Sequence, residues 1–238
     1  MSTDKVRLAV EESVAVVTLD DAKANALSFE VIEGLHGALD RAAEEASALL
    51  IVGRPGRFSA GFDLATMTAS PESAQKLVTA GAELLMRIYL HPQPVVAACT
   101  GHALAAGALL LCVCDRRIGA AGDFKIGLNE VAIGLRLPVF GVELARDRLS
   151  KRHLTAATTL GRVYTPSEAC DAGFLDATVA AEEVIARARA EAIALAKLPH
   201  GAHVETKRTL RTELVERVRA TLAEDMARFV APTQAGRG

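Results

Sequence analysis

Two mostly apolar segments separated by polar residues predict a β-hairpin at the start of the chain. Val6–Val10 and Val14–Leu19 are rich in β-branched residues, and polar Glu11–Ser13 separates them. Shorter runs that are apolar throughout occur at Leu49–Val52 and Val95–Cys99. Such runs are typical of strands that are buried on both faces. We therefore expect a hairpin followed by buried strands.

Helical spacing of apolar residues predicts a helix from about Phe29 to Glu45, with Ser28 as its N-cap. The apolar stripe of this helix consists of Val31, Leu35, Ala38 and Leu39. Pro71 marks the first position of another helix that extends to about Leu90, where His91–Pro94 ends it.

The end of the chain is predicted to be helical from Val139 onward, with the last helices at 181–198 and about 202–230. Before it, we expect short strands at Arg116–Ala120 and Phe124–Ile126, a loop at 127–138, and an unstructured tail at 231–238. Strands and helices that alternate before a helical end predict an α/β fold. We divide it into a core at 1–178 and a helical region at 179–238 within one structural unit.

The run Pro94–Cys114 carries no full charge and is long enough to cross a bilayer. However, it contains Pro94, Gly101 and Gly107, and its first part is β-branched like a strand. We interpret it as a buried strand, a turn at Gly101–Ala105 and a buried helix from about Ala106 to Val113.

Composition excludes several classes of protein. The formal charge of −2 and the 4% aromatic content, without Trp, disfavour a nucleic-acid binder. The four cysteines lack the spacing of a zinc site, although His102 and Asp115 lie near them in the sequence. We interpret the cysteines as small buried residues in a reducing compartment. No secretory signal pattern precedes the first strand. We expect a cytoplasmic protein without metal.

Two segments rich in small residues are candidate binding turns. In Gly53–Asp63 and in Gly101–Gly107, a short apolar strand leads into residues that let backbone N–H groups approach a ligand closely. Two such amides aimed at one point would stabilise a carbonyl oxygen that gains negative charge. By spacing alone, a turn that only reverses the chain is the favoured explanation of each segment.

Glu130 is the candidate catalytic group. It is an acidic residue inside the otherwise uncharged run Ile126–Leu135. A carboxylate surrounded by Ile126, Leu128, Val131 and Ile133 would have a raised pKa, which suits a general base or acid near neutral pH. The alternative is an ordinary solvated carboxylate in a loop.

Segments in a defined order resemble the crotonase (enoyl-CoA hydratase/isomerase) superfamily. They read ANALSF at Ala24–Phe29, FSAGFDL at Phe58–Leu64, PVVAACTGHALAAG at Pro94–Gly107, IGLNEVAIG at Ile126–Gly134, and GRVYTPSEACDAGFLDATV at Gly161–Val179. The similarity covers roughly residues 5–230. It implies a spiral of ββα units with a C-terminal helical region, assembled as a homotrimer or a dimer of trimers.

The resemblance also implies a role for individual residues. Glu130 falls on a catalytic glutamate of the family, and the backbone N–H groups of Ala60 and Ala106 fall on the oxyanion hole. The substrate would be an acyl-CoA thioester, whose coenzyme A is part of the substrate, so no separate cofactor is expected. The positions implied to contact it are Ala24, Ala26, Leu27, Ala60, Gly61, Phe62, Asp63 and Leu109. Lys207 or Arg208 is implied to meet the CoA phosphates.

One departure from the family pattern favours one activity over another. Hydratases of the family carry a second glutamate where this chain has Leu109. Adding water across a double bond is easiest with two carboxylates, whereas moving a double bond from C3–C4 to C2–C3 requires one. The IGLNE segment is also similar to that of the family's Δ3,Δ2-enoyl-CoA isomerases. We therefore rank isomerase above hydratase, with Glu143 and Asp115 as weaker candidates for a second acid.

Two further alternatives belong to other classes of protein. A non-catalytic acyl-CoA binding protein would keep the pocket without chemistry, and the retained Glu130 argues against it. A serine hydrolase would need a nucleophile at the helix after Gly101, where Ala105 and Ala106 stand instead. His102 without such a partner is interpreted as a packed, hydrogen-bonded residue.

Overall fold

A computed structural model describes residues 5–229. The tail expected at 231–238 lies outside this range. The strands are β1 (Val6–Glu11), β2 (Val14–Leu19), β3 (Ala48–Val52), β4 (Gly56–Ser59), β5 (Val95–Cys99), β6 (Gly101–Leu104), β7 (Arg116–Ala120), β8 (Ile126–Gly127), β9 (Val163–Tyr164) and β10 (Ala177–Val179). The α-helices are α1 (Phe29–Glu45), α2 (Leu64–Ala69), α3 (Pro71–Tyr89), α4 (Ala106–Cys112), α5 (Val139–Arg148), α6 (Lys151–Thr158), α7 (Pro166–Ala172), α8 (Val184–Leu195) and α9 (His200–Ala227).

The larger sheet has six strands in the order β1-β2-β3-β5-β7-β10. Its first pair is the antiparallel hairpin predicted from the sequence, and every following pair is parallel. All residues of β3 and β5 are buried, as their uninterrupted apolar sequences predict. Helix α8 covers one face of this sheet through Val184, Ala188 and Ala192, while α1 and α3 pack into the main core on the other.

The smaller sheet shows that the fold is a spiral. Its order is β4-β6-β8-β9, and β4, β6 and β8 run parallel. Each of these strands directly follows β3, β5 or β7 of the larger sheet, so each turn of the chain contributes one strand to each sheet before a helix returns it. This repetition of ββα units, with helices at the end, confirms the predicted architecture.

The first long helices form where local signals predicted them. The Ser28 hydroxyl accepts a hydrogen bond from the N–H of Val31 at 3.3 Å and caps α1. All four residues of the predicted stripe are buried. Helix α3 begins at Pro71 and is capped by the Ser70 hydroxyl, which accepts from the Ser73 N–H at 3.1 Å.

Several predicted loops contain regular structure. Strand β4 lies inside the expected loop Gly53–Asp63, and β6 replaces the expected turn Gly101–Ala105. These segments contain glycines because their backbones pack closely: a Cβ on Gly101 would lie 2.1 Å from the carbonyl carbon of Gly56. Strands β9 and β10 likewise interrupt the region predicted as helical after Val139. Their pairing partners are distant in sequence, so local periodicity gives no sign of them.

The apolar run Pro94–Cys114 forms β5, β6 and α4 in the interior. Within residues 5–229, none of the helices combines the length and the apolar character that a membrane-spanning helix requires. Cys99, Cys112 and Cys114 are buried, and burial raises the pKa of each thiol to between about 11 and about 12. These three cysteines are therefore packed and unreactive, as predicted, whereas Cys170 is half-buried.

Candidate active site

A cavity of about 450 Å³ lies where the two sheets meet the end of the chain. Its walls come from the loop at 21–26, the segment between β4 and α2, the junction of β6 and α4, the loop after β8, the start of α5, and Phe229. Apolar side chains dominate this lining, and a few polar groups face them. Such a cavity is typical of a small-molecule binding site that a few polar groups make specific.

Glu130 lies in the wall of this cavity and is 8% exposed. Burial raises the pKa of its carboxyl to about 7. Its Oε2 atom is buried and has no hydrogen-bond partner among the described residues. The backbone carbonyl of Glu130 accepts from the N–H of Leu135 at 2.9 Å, which closes the loop behind the side chain. A carboxylate in these surroundings is suited to transfer protons near neutral pH.

The apolar surroundings of Glu130 differ in part from those predicted. Ile126 and Leu128 are buried, but Val131 is 42% exposed and Ile133 60% exposed, because the chain turns there through a short 3₁₀ helix at the surface. Leu109 instead lines the cavity with Glu130, contributed by α4. The cavity that holds this carboxyl is therefore walled by a distant helix as well as by its own loop.

The structure corrects one of the two predicted oxyanion donors. The N–H of Ala60 donates to the carbonyl of Ala24 at 3.0 Å, so it is not free to bind a ligand, and its prediction as a donor is wrong. The N–H of Gly61 donates to the Ser59 hydroxyl at 3.2 Å. Within the described part of the chain, the N–H groups of Phe62 and Ala106 have no acceptor. Phe62 therefore replaces Ala60 as the candidate.

Glycines allow the segments Gly53–Asp63 and Gly101–Gly107 to pack closely against each other. Gly61 has φ +94°, and a Cβ there would lie 3.2 Å from the nitrogen of Ala106 and 3.0 Å from the Cβ of Ala105. A Cβ on Gly107 would lie 2.2 Å from the carbonyl oxygen of Ser59. The peptide that carries the Phe62 N–H is thus packed directly against the peptide that carries the Ala106 N–H.

Backbone strain occurs next to Ala106. Ala105 has φ +51° and ψ −126°, a conformation that glycine adopts without penalty and alanine does not. Ala106 itself begins α4, and its φ is not positive. The backbone strain therefore lies at Ala105 and not at the residue whose N–H is the candidate donor.

Ala105→Gly is expected to stabilise the protein by about 1 kcal/mol, because relief of the strained φ exceeds the added entropy of the unfolded chain. Urea denaturation of the variant and of Ala103→Gly would measure this. Ala103 lies in β6 and has no positive φ, so its replacement should destabilise. Equal destabilisation by both replacements would contradict the assignment of strain to Ala105.

Comparison with known proteins identifies the family. A model of the enoyl-CoA hydratase/isomerase family matches residues 9–236. Human mitochondrial enoyl-CoA delta isomerase 1 is 30% identical over 92% of this chain and 74% of its own. A probable enoyl-CoA hydratase of Bacillus subtilis is 35% identical over 81% of this chain and 76% of its own. The chain belongs to the enoyl-CoA hydratase/isomerase family.

A solved structure extends the likeness to three dimensions. An enoyl-CoA hydratase/isomerase family protein from Pseudomonas syringae superposes with a TM-score of 0.93 and 41% identity, over 95% of this chain and 99% of its own. The chain is thus an enzyme of the enoyl-CoA isomerase and hydratase kind with the fold of that family. Its relatives include proteins named as isomerases and proteins named as hydratases, so the comparisons do not distinguish these two activities. The choice between them has to be argued from the geometry of the site.

The remaining predicted contact residues divide into two groups. Ala24, Ala26, Phe62, Asp63 and Leu109 line the cavity, together with Ala60. Leu27 and Gly61 lie behind it: Leu27 is fully buried, forms a parallel bridge with Phe62, and its N–H donates to the Gly61 carbonyl at 2.8 Å. The Asp63 carboxylate accepts from the Thr66 N–H at 2.8 Å and caps α2.

Lys207 is not available for CoA phosphates in this family member. It is 6% exposed and lines a different cavity, and its Nζ lies 2.7 Å from Asp115 and 3.2 Å from the Gln93 carbonyl. Asp115 pairs with Lys207 and Arg211 rather than with its neighbours in sequence. Glu143 pairs with Arg146 and Arg217 and does not line the active-site cavity. Neither acid is placed to assist Glu130.

Two features of the site had no interpretation in the sequence. Buried Asn25, with φ +52°, donates from Nδ2 to the Leu19 carbonyl at 2.8 Å and thereby fixes the loop at 21–26. Asn129 precedes Glu130, lines the cavity, and has a buried Oδ1 without a partner among the described residues. Neither feature follows from the local sequence, because the burial of each asparagine side chain depends on the fold.

Proposed function

We propose that the protein moves the double bond of a 3-enoyl-CoA thioester to give the 2-enoyl-CoA isomer, with Glu130 as the sole proton carrier. The observation that carries this proposal is the buried carboxyl of Glu130, whose pKa is raised to about 7, in a cavity that apolar Leu109 also lines. The human isomerase relative supports an activity of this type.

In the proposed mechanism the ionised Glu130 removes a proton from C2 of the substrate. Electrons from the C2–H bond form a C1–C2 double bond, and the thioester oxygen becomes negative. The N–H groups of Phe62 and Ala106 stabilise this dienolate, because both are free and lie on adjoining peptides. The protonated Glu130 then delivers the same proton to C4, and a C2–C3 double bond results.

Hydration is disfavoured by the same surroundings. A water molecule that attacks C3 must be oriented and deprotonated while C2 receives a proton, and two carboxylates divide this work most easily. Leu109 is 1% exposed and offers no polar atom. The apolar wall would also exclude a bound water that had only one hydrogen-bonding partner.

The thioester is expected to lie along the small residues of the cavity wall. Ala24 and Ala26 leave room beside the loop that Asn25 fixes, and we infer that the CoA moiety passes there. The reaction requires no oxidant, metal or further cofactor, because proton transfer and two amides suffice.

Purified protein is expected to convert 3-hexenoyl-CoA to 2-hexenoyl-CoA, and to hydrate the 2-enoyl thioester at least about 100-fold more slowly, since the second catalytic carboxylate is missing. Absorbance of the conjugated thioester measures both reactions, because isomerisation creates the chromophore and hydration removes it. Hydration at a comparable rate would make the protein a hydratase. Tight binding of both thioesters without turnover of either would make it a binding protein.

A further inference from the structure

The end of α9 is tied to the loop that carries Glu130 by a buried carboxylate, Asp225. Its Oδ1 accepts from Arg136 at 2.6 Å, and its backbone carbonyl accepts from the same guanidinium at 3.0 Å. Its Oδ2 accepts from the N–H of Val139 at 2.7 Å. Pro138 precedes α5 and has no side chain able to cap it, so Asp225 supplies the cap from another helix. We call these three hydrogen bonds the Asp225 lock.

Phe229 lies one helical turn beyond Asp225 and closes part of the cavity. It is 6% exposed, and its N–H donates to the Met226 carbonyl at 3.0 Å, which continues the last turn of α9. Its side chain lines the same cavity as Glu130. Asp225 lies four residues before Phe229, so the Asp225 lock holds the turn of the helix that carries this ring. The position of the Phe229 ring therefore depends on a contact with the loop that carries Glu130.

The part of the cavity near Phe229 is suited to a hydrocarbon chain. Leu135, Pro138 and Phe140 line the same cavity as Phe229, from the loop and from α5. Arg136 also lines it, but its guanidinium is already engaged by Asp225 and so does not offer a free charge for a carboxylate on the ligand. An acyl tail is therefore a better occupant here than a polar or acidic group.

We propose that Phe229, held in place by the Asp225 lock, sets the length of the acyl chain that the enzyme accepts. This inference rests on the proposed function, because it assigns the tail of the same thioester to this wall. The ring ends the space available to the chain, and each methylene group that it excludes would otherwise be transferred from water to an apolar surface.

Calorimetric binding of saturated acyl-CoA thioesters with 4 to about 14 acyl carbons tests the proposal without requiring turnover, because each buried methylene adds about fourfold in affinity until the cavity is full. For the native protein, affinity should rise with chain length and then stop rising. In Phe229→Ala, the rise should continue over several further methylene groups. Asp225→Asn should also raise the chain length at which affinity stops rising, but by fewer methylene groups than Phe229→Ala.

Matched controls come from the same helix. Met226→Ala truncates a buried side chain that does not line the cavity, and Arg219→Gln removes an ion pair between α9 and Glu83 of α3. Both should keep the native length limit. If Phe229→Ala does not fold, Phe229→Leu and Asp225→Asn carry the test.

Two outcomes overturn the inference in different ways. The first outcome is that Phe229→Ala still binds thioesters and keeps the native length limit, or that Phe229→Leu and Asp225→Asn each do so. This outcome removes the assignment of Phe229 and leaves the proposed function intact. Failure of the native protein to bind any of these thioesters removes both.

Discussion

Glu130→Gln is expected to lower the turnover of a 3-enoyl-CoA thioester by about 10²- to 10⁴-fold, because Glu130 is the proposed carrier of the proton. Glutamine keeps the shape of the side chain but does not accept a proton at any working pH. Affinity for the saturated thioester should change little, since the two backbone N–H groups and the apolar walls remain. Steady-state kinetics together with calorimetry separate these two effects.

The pH profile of the native enzyme provides an independent check. Burial raises the pKa of the Glu130 carboxyl to about 7, and only the ionised form is a base. We therefore expect kcat/KM to rise about tenfold per pH unit below 7 and to level off above it. Glu143→Gln is the control, because Glu143 lies outside the cavity and should leave rate and profile unchanged. Unchanged turnover in Glu130→Gln would remove this residue from the mechanism.

Those parts of the structure that depend on local signals were predictable. Ser28 and Pro71 marked helix starts correctly, because capping and proline geometry act within one turn. The buried strands β3 and β5 were evident from their uninterrupted apolar sequences. The apolar neighbours of Glu130 in sequence left its burial and its solvent exposure both open, and the structure shows it buried, although Val131 and Ile133 are themselves exposed.

Features that depend on long-range contacts were not predictable from local pattern. Sequence alone does not show which amide of the FSAGFDL segment is free, because the acceptor that occupies the Ala60 N–H lies in a different loop, at Ala24. The position of the Lys207 side chain depends on Asp115, far away in the sequence, and Phe229 lines a cavity that is otherwise built from segments much earlier in the chain. A charge or an aromatic ring on an amphipathic helix gives no indication of such a partner.

Asp115 joins three segments of the fold in the interior. Its Oδ2 accepts from Lys207 and from the N–H of Val95, both at 2.7 Å, and its Oδ1 lies 2.8 Å from Arg211. Burial alone would raise the pKa of the Asp115 carboxyl, but the charges of Lys207 and Arg211 hold it below its usual range. This carboxylate therefore neutralises two buried cations of α9 and anchors that helix to the start of β5.

Asp115→Ala is expected to lower the free energy of unfolding by about 3–5 kcal/mol, because it leaves Lys207 and Arg211 buried without their anion. Urea denaturation measures the loss. Glu45→Ala, which removes an exposed partner of Arg41, should cost far less, because solvent already screens this pair. Should Asp115→Ala fail to fold, Asp115→Asn keeps the shape and should still be strongly destabilised. A loss as small as that of Glu45→Ala would mean that water or another group already compensates these cations, and that α9 is anchored by its apolar contacts alone.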